Sequence, residues 1–211
     1  MDTLRERNLL GKGQDLKLSL TLAQTQQQVN LSFTEPHFMD LDLAAGFDIF
    51  RTITDRGTQS SFVEDATGGA LRTGFQLSEP LRDNIRYSLT SRTITSVAAD
   101  ASPYIKAQKG TNVTSMVSNE LFYNRLDSRV DPTEGFFLKG TADAAGLGGN
   151  VRFGRGVIGG GYFVPFFDRS VVLSVTASAG YVGGIGMDVP LTERFFVGGV
   201  DLRGFATAGV G

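Results

Sequence analysis

Few residues in this chain are of a type that performs bond chemistry. It has one histidine, His37, and no cysteine or tryptophan. An imidazole titrates near neutrality and would be the natural general base or metal ligand. His37, however, lies in Glu35-Pro36-His37-Phe38, a turn by its proline, and no serine or aspartate grouping is tied to it. A plain turn residue accounts for it. Asp42 and Asp48 read as solvated charges on one polar face, and Asp15, Asp42 and Asp48 lack the ligand-loop spacing of a calcium site. Without cysteine, neither a disulfide framework nor a thiolate metal site is possible. No catalytic residue, cofactor or metal site emerges.

The most distinctive cation is Arg203. It stands in Leu202-Arg203-Gly204-Phe205, shortly after the pair Gly198-Gly199. One guanidinium between apolar residues, with glycines that let the backbone approach other surfaces, suits a loop that folds back and packs. Taken alone, the segment also fits an ordinary glycine-rich turn with a surface arginine.

The elements that would position this loop are strands. The net charge of -2 leaves no basic field for nucleic acid. No apolar run approaches the ~20 residues of a membrane helix, and no signal-peptide core is visible at the start. A soluble protein would be the default but for the alternation. Leu16, Leu18, Leu20 and Leu22 face one way, and Asp15, Lys17, Ser19, Thr21 and Ala23 the other. Val29, Leu31 and Phe33 oppose Asn30, Ser32 and Thr34. Leu41, Leu43, Ala45, Phe47 and Ile49 oppose Asp42, Ala44, Gly46 and Asp48. Further runs carry Leu71 to Leu77, Ile85 to Leu89, Thr114 to Leu126 with poor alternation, Phe136 to Ala145, Val151 to Phe167 and Val171 to Tyr181. Polar loops are expected at 55–68, 78–84, 98–112 and 146–150. Residues 1–13 read as the tail of a preceding strand and a tight turn.

The sum is about nine strands and no helix. The second face is small and polar, with too little apolar mass for a dry sheet-on-sheet core. An all-β transmembrane antiparallel barrel fits this, with apolar side chains toward lipid and polar ones toward a wet lumen. Phe33, Phe38, Phe50, Tyr123, Phe136, Phe166 and Tyr181 near strand ends suit aromatic girdles.

Four stretches, in order, then carry a family likeness: Asn8-Leu9-Leu10-Gly11-Lys12-Gly13; Leu31 through Glu35-Pro36-His37 to Phe38; Asp127 through Pro132 to Gly135; and Phe195-Phe196-Val197-Gly198-Gly199 running into Leu202-Arg203-Gly204-Phe205. With this strand pattern, the chain resembles the barrel of the BamA-type outer-membrane assembly factors, in the bacterial surface antigen superfamily, over essentially all 211 residues. The resemblance implies a sixteen-strand barrel of which the chain would hold strands three to eleven. Residues 183–211 would be a lumen-inserting loop. The first and last strands, the gate between them and the periplasmic POTRA domains would be absent, as in a piece of a longer protein.

The implied activity is non-enzymatic: folding and insertion of β-barrel proteins in the outer membrane of a Gram-negative bacterium. The implied partners are outer-membrane lipid, unfolded β-barrel clients and, through the POTRA domains, accessory lipoproteins of the complex, with no nucleic acid. Arg203 would hold the loop inside by pairing with an inward carboxylate on a later strand, with Gly204 passing the wall and Phe205 packing beside it. The alternatives are a two-partner secretion or TamA-like translocation barrel and a passive porin.

Overall fold

A computed structural model describes residues 2–55, 62–98, 106 and 108–195. Ten strands form one sheet: β1 (Asp2–Leu9), β2 (Gln14–Leu22), β3 (Gln26–Glu35), β4 (Leu43–Asp55), β5 (Val63–Ser78), β6 (Leu81–Thr95), β7 (Gly110–Leu126), β8 (Gly135–Gly149), β9 (Phe153–Phe166) and β10 (Val171–Gly184). They pair in chain order, every neighbour antiparallel. Among the described residues, β1 pairs only with β2 and β10 only with β9. The architecture is the expected all-β, unclosed antiparallel meander.

The strand count is ten rather than nine. Residues 2–9, read as the tail of a preceding strand, form β1 and pair with β2 from Asp2↔Leu20 to Leu9↔Gln14. Their charges hide the alternation: Leu4 shares its face with the outward Leu18, while Arg5 faces inward beside Lys17. β5 likewise starts at Val63, inside the expected loop. Its inward residues there include Ala66, Gly68 and Ala70, which carry no bulk to signal a strand. Gly68 is required by the neighbours: a β-carbon would lie 2.6 Å from the Leu89 carbonyl oxygen and 2.9 Å from the Phe50 ring. Phe50 thus packs inward, not in an outer girdle. β7 alternates poorly because Met116 and Phe122 face inward, while Ser115 and Asn119 face outward.

The two faces separate as barrel physics requires. Outward, Ile49, Leu71, Ile158 and Val175 are each more than half exposed to whatever surrounds the sheet. In water such a continuous apolar face would be untenable; in a bilayer it is the contact surface. Aromatic rings gather near one end of the strands, with Phe33 stacked on Phe47 at 5.5 Å and Tyr123 beside Phe136 at 5.8 Å. The inner face is polar, and its dry regions are small. One joins Phe62 and Ile94 with Val97. The other joins Ala145, Val151 and Phe153 with Met116, Val182 and Val189.

The unpaired outer backbone of β1 and β10 has a consequence in lipid. Each unsatisfied N–H or C=O there costs several kcal/mol, so two open edges cost on the order of tens of kcal/mol. The 211-residue chain, refolded alone into lipid vesicles, is therefore expected to give no heat-stable monomeric barrel by gel mobility shift. A compact monomeric species that resists heat would contradict this.

Candidate functional site

The inner face carries arginines, and those of the two groups below meet carboxylates on other strands. At mid-sheet, Asp48 of β4 accepts a hydrogen bond from Nη1 of Arg86 at 2.8 Å and faces Nε of Arg72 at 3.4 Å. Ser32 of β3 donates its hydroxyl to Asp48 at 2.8 Å and accepts from Arg72 at 2.9 Å. Arg72 also donates to the Phe33 carbonyl and the Thr34 hydroxyl. The cross-strand register produces this cluster, because Ser32 lies opposite Asp48 and Arg72 opposite Arg86. The Asp48 side chain is only 12% exposed, so it is a paired interior charge rather than the solvated one expected from sequence. Asp42 parts company with it. It lies in the turn before β4, its side chain fully exposed, 3.9 Å from His37.

A second group is built from four strands and the segment after β10. Arg92 of β6 sits 2.7 Å from Glu64 of β5, and Arg155 of β9 donates to Asp143 of β8 at 2.6 Å. Register explains the second pair, since Asp143 and Arg155 are direct cross-strand partners. Glu193 then spans the two arginines. One of its oxygens accepts from Nη1 of Arg92 at 2.8 Å, and the other lies 3.5 Å from Nη1 of Arg155. The Thr192 hydroxyl accepts from the same Nη1 of Arg92 at 2.8 Å.

Glu193 reaches this place because the chain reverses as soon as β10 ends. Ile185 donates to the Arg152 carbonyl at 3.1 Å, and Gly186 takes φ +70°, a left-handed turn conformation that suits glycine. Gly184 tolerates no side chain, because the Met187 carbonyl occupies that position. Val189 then packs on the inner cluster of Ala145, Val151 and Phe153, the last two almost wholly buried. A 3₁₀ turn over Leu191–Glu193 follows, closed by the Glu193 amide on the Pro190 carbonyl. Finally Phe195 lies over Gly180 of β10, where a β-carbon would come 2.6 Å from its ring. Gly180 is on the inner face with Ser178, which opposes the inward Gly159. The stem from Ile185 to Phe195 is thus laid along the inside of the sheet.

Gly198, Gly199, Leu202, Arg203, Gly204 and Phe205 lie outside the described residues. Sequence reasoning included Glu193 in the loop 183–211 but gave it no function of its own. Nothing local distinguishes it, since its partners Arg92 and Arg155 are far away along the chain. Only strand register brings those three together.

Of the four stretches that carry the family likeness, the third forms a tightly tied loop. The Asp127 carboxylate accepts from the amides of Ser128, Thr133 and Glu134 and from the Thr133 hydroxyl. These donors, the hydroxyl foremost, hold its carboxyl well below the usual range. In the first stretch, the Asn8 side chain accepts from the Gly13 amide at 2.7 Å, closing the β1–β2 turn.

With the geometry in hand, comparison with known proteins is specific. The Omp85 superfamily domain matches residues 8–211. The outer membrane protein assembly factor BamA of Neorickettsia risticii is 32% identical over 207 residues, spanning 98% of this chain and 28% of that protein. The SAM50-like protein CG7639 of Drosophila melanogaster is 28% identical, spanning 97% of this chain and 48% of its own. The crystal structure of BamA from Haemophilus ducreyi lacking POTRA domains 1–3 superposes with a TM-score of 0.87 at 21% identity, covering 99% of this chain and 43% of that one. The chain therefore spans less than half the length of these relatives.

Two predictions follow from the geometry. Replacing Asp48 with alanine in the full-length protein leaves Arg72 and Arg86 facing each other without their shared counter-charge. It should lower barrel stability by about 3 kcal/mol, near the lower end for a broken interior pair, read as an earlier loss of the folded band on heating. The exposed Asp131→Ala should leave that band unchanged. In the loop, a carboxyl held below its ordinary range stabilises the fold above that range and loses the effect only as pH falls through its folded value. Amide protection at Thr133 and Glu134 should then be constant from neutrality down to about pH 4 and fall only at stronger acidity. Loss centred on the ordinary aspartate value would contradict the assignment.

These matches, with the sheet order and the two-faced strands, leave one assignment: the chain belongs to the Omp85 superfamily, and it is a segment of a bacterial outer-membrane β-barrel.

Proposed function

We propose that this barrel segment serves in an assembly factor that promotes folding and insertion of β-barrel proteins into the outer membrane. The observation that carries the reading is the stem after β10, which turns inward and lies on the inner wall instead of leaving the barrel as a surface loop. The bacterial relatives that match over the same span are assembly factors, a non-enzymatic role.

In this reading, residues 183–211 form a loop inside the lumen, with Gly198 and Gly199 giving the backbone close passage. Leu202 and Phe205 supply apolar contact. Arg203 pairs bidentately with an inward carboxylate from another part of the barrel, in an interior where the pair is screened less than in water. The loop then braces the wall from within while a weak seam elsewhere accepts a client strand by backbone pairing. Partners of this reading are outer-membrane lipid, unfolded β-barrel clients and the complex's lipoproteins docked through POTRA domains.

The test is Arg203→Ala in the full-length protein reconstituted with client barrels. The expected outcome is at least a tenfold slower client insertion and an earlier heat transition, with Arg203→Lys only partly restoring either, because lysine lacks the planar fork. Unchanged insertion and heat stability in Arg203→Ala would overturn the assigned role. A large, steady single-channel conductance from the intact barrel, with no client insertion, would favour the porin instead.

A further inference from the structure

We infer that Glu193 is the positioning residue of the inward loop: its carboxylate clamps the stem to the wall by bridging Arg92 of β6 and Arg155 of β9. The inference deepens the function proposed above and rests on it only for the purpose of the stem, not for the clamp.

The charge arrangement argues for a built clamp. Arg92 already has Glu64 at 2.7 Å and Arg155 has Asp143 at 2.6 Å. Each wall pair is neutral in isolation, and each keeps unused guanidinium donors directed at the space between β6 and β9. A guanidinium carries five N–H groups, so one carboxylate cannot satisfy it. Glu193 occupies that space with its two oxygens divided between the two arginines, and Thr192 adds a hydroxyl to Arg92. The side chains of Arg92, Arg155, Glu64 and Glu193 are all less than a third exposed, so water competes weakly for the contacts.

The backbone is shaped to deliver the carboxylate. Val189 on one side and Phe195 over Gly180 on the other fix the stem by apolar contact, with Glu193 between them. The three contacts reach strands from β6 to β10. Among the described residues, every wall partner of the stem precedes it in the chain. The clamp is a second attachment, separate from the one assigned to Arg203.

The variants Glu193→Gln and Glu193→Asp, with Arg92→Gln alone and combined with Glu193→Gln, test the clamp in the full-length protein in lipid vesicles. The readout is tryptic cleavage after Arg194, which sits beside the clamp where a docked stem is shielded by the barrel. Gel mobility of unheated samples selects the folded fraction for each variant. Glu193→Gln should be cut at least tenfold faster than the parent. Glu193→Asp, which keeps the charge on a shorter arm, should fall between them. On the Arg92→Gln background, Glu193→Gln should add a smaller factor than it does in the parent, because its shortest contact is already gone. Equal factors on both backgrounds would follow if Glu193 merely filled space.

Parental protection in Glu193→Gln, or the same factor from Glu193→Gln with and without Arg92, would overturn the clamp. Client insertion measured on the same vesicles separates the two claims. A released stem with insertion unchanged would sink the functional reading and leave the clamp standing. A stem still protected in Glu193→Gln would sink the clamp and leave the function to the Arg203 test.

Discussion

A guanidinium inside a β-barrel must have a carboxylate within reach, and the inner face of this sheet is organised by that requirement. Desolvating an unpaired charge costs several kcal/mol, whereas a hydrogen-bonded pair offsets most of the loss. Asp48 answers Arg72 and Arg86, Glu64 answers Arg92, and Asp143 answers Arg155. All these pairs join different strands, so they also pin the register on which the outward apolar face depends. A slip of one residue would turn the arginines toward lipid and the leucines inward.

The same requirement explains the stem. The wall offers two arginines with donors to spare, and the chain returns from β10 with a glutamate timed to meet them. Three glycines make the path possible at their own positions: Gly184 and Gly186 allow the reversal, and Gly180 leaves room for Phe195. Apolar packing of Val189 on Phe153 and Val151 anchors the middle. Local turn geometry, core packing and electrostatics therefore agree on one placement, which is why a segment with almost no regular structure follows a defined course. Among the described residues, the result is a stem laid along the inner wall of the sheet.

Much of this was legible from residue order. Period-two alternation in β2, β3, β4 and β10 is strong, because leucine, valine and phenylalanine mark one face without interruption. It failed where bulk was missing or charge intruded. β1 is mostly charged, and the inner face of early β5 is alanine and glycine, so neither stands out. Phe50 was misplaced because an aromatic near a strand end looks the same whether it points to lipid or over a glycine such as Gly68. Asp42 and Asp48 share a parity, but the turn at 36–42 carries Asp42 out of the sheet. Glu193 was beyond sequence reasoning for a different reason. Its meaning lies in a meeting of residues on β6 and β9 that exists only after the sheet has formed and curved.

The claim on which the account rests is that the chain after β10 lies against the inner wall. A photoreactive benzoylphenylalanine at position 195 in the full-length, membrane-embedded protein tests it directly, since the tip of the Phe195 ring is what meets Gly180. Mass spectrometry should find the cross-link inside the same chain, on β10 around Gly180. Cross-links to lipid or to added external protein, with none to β10, would contradict the account.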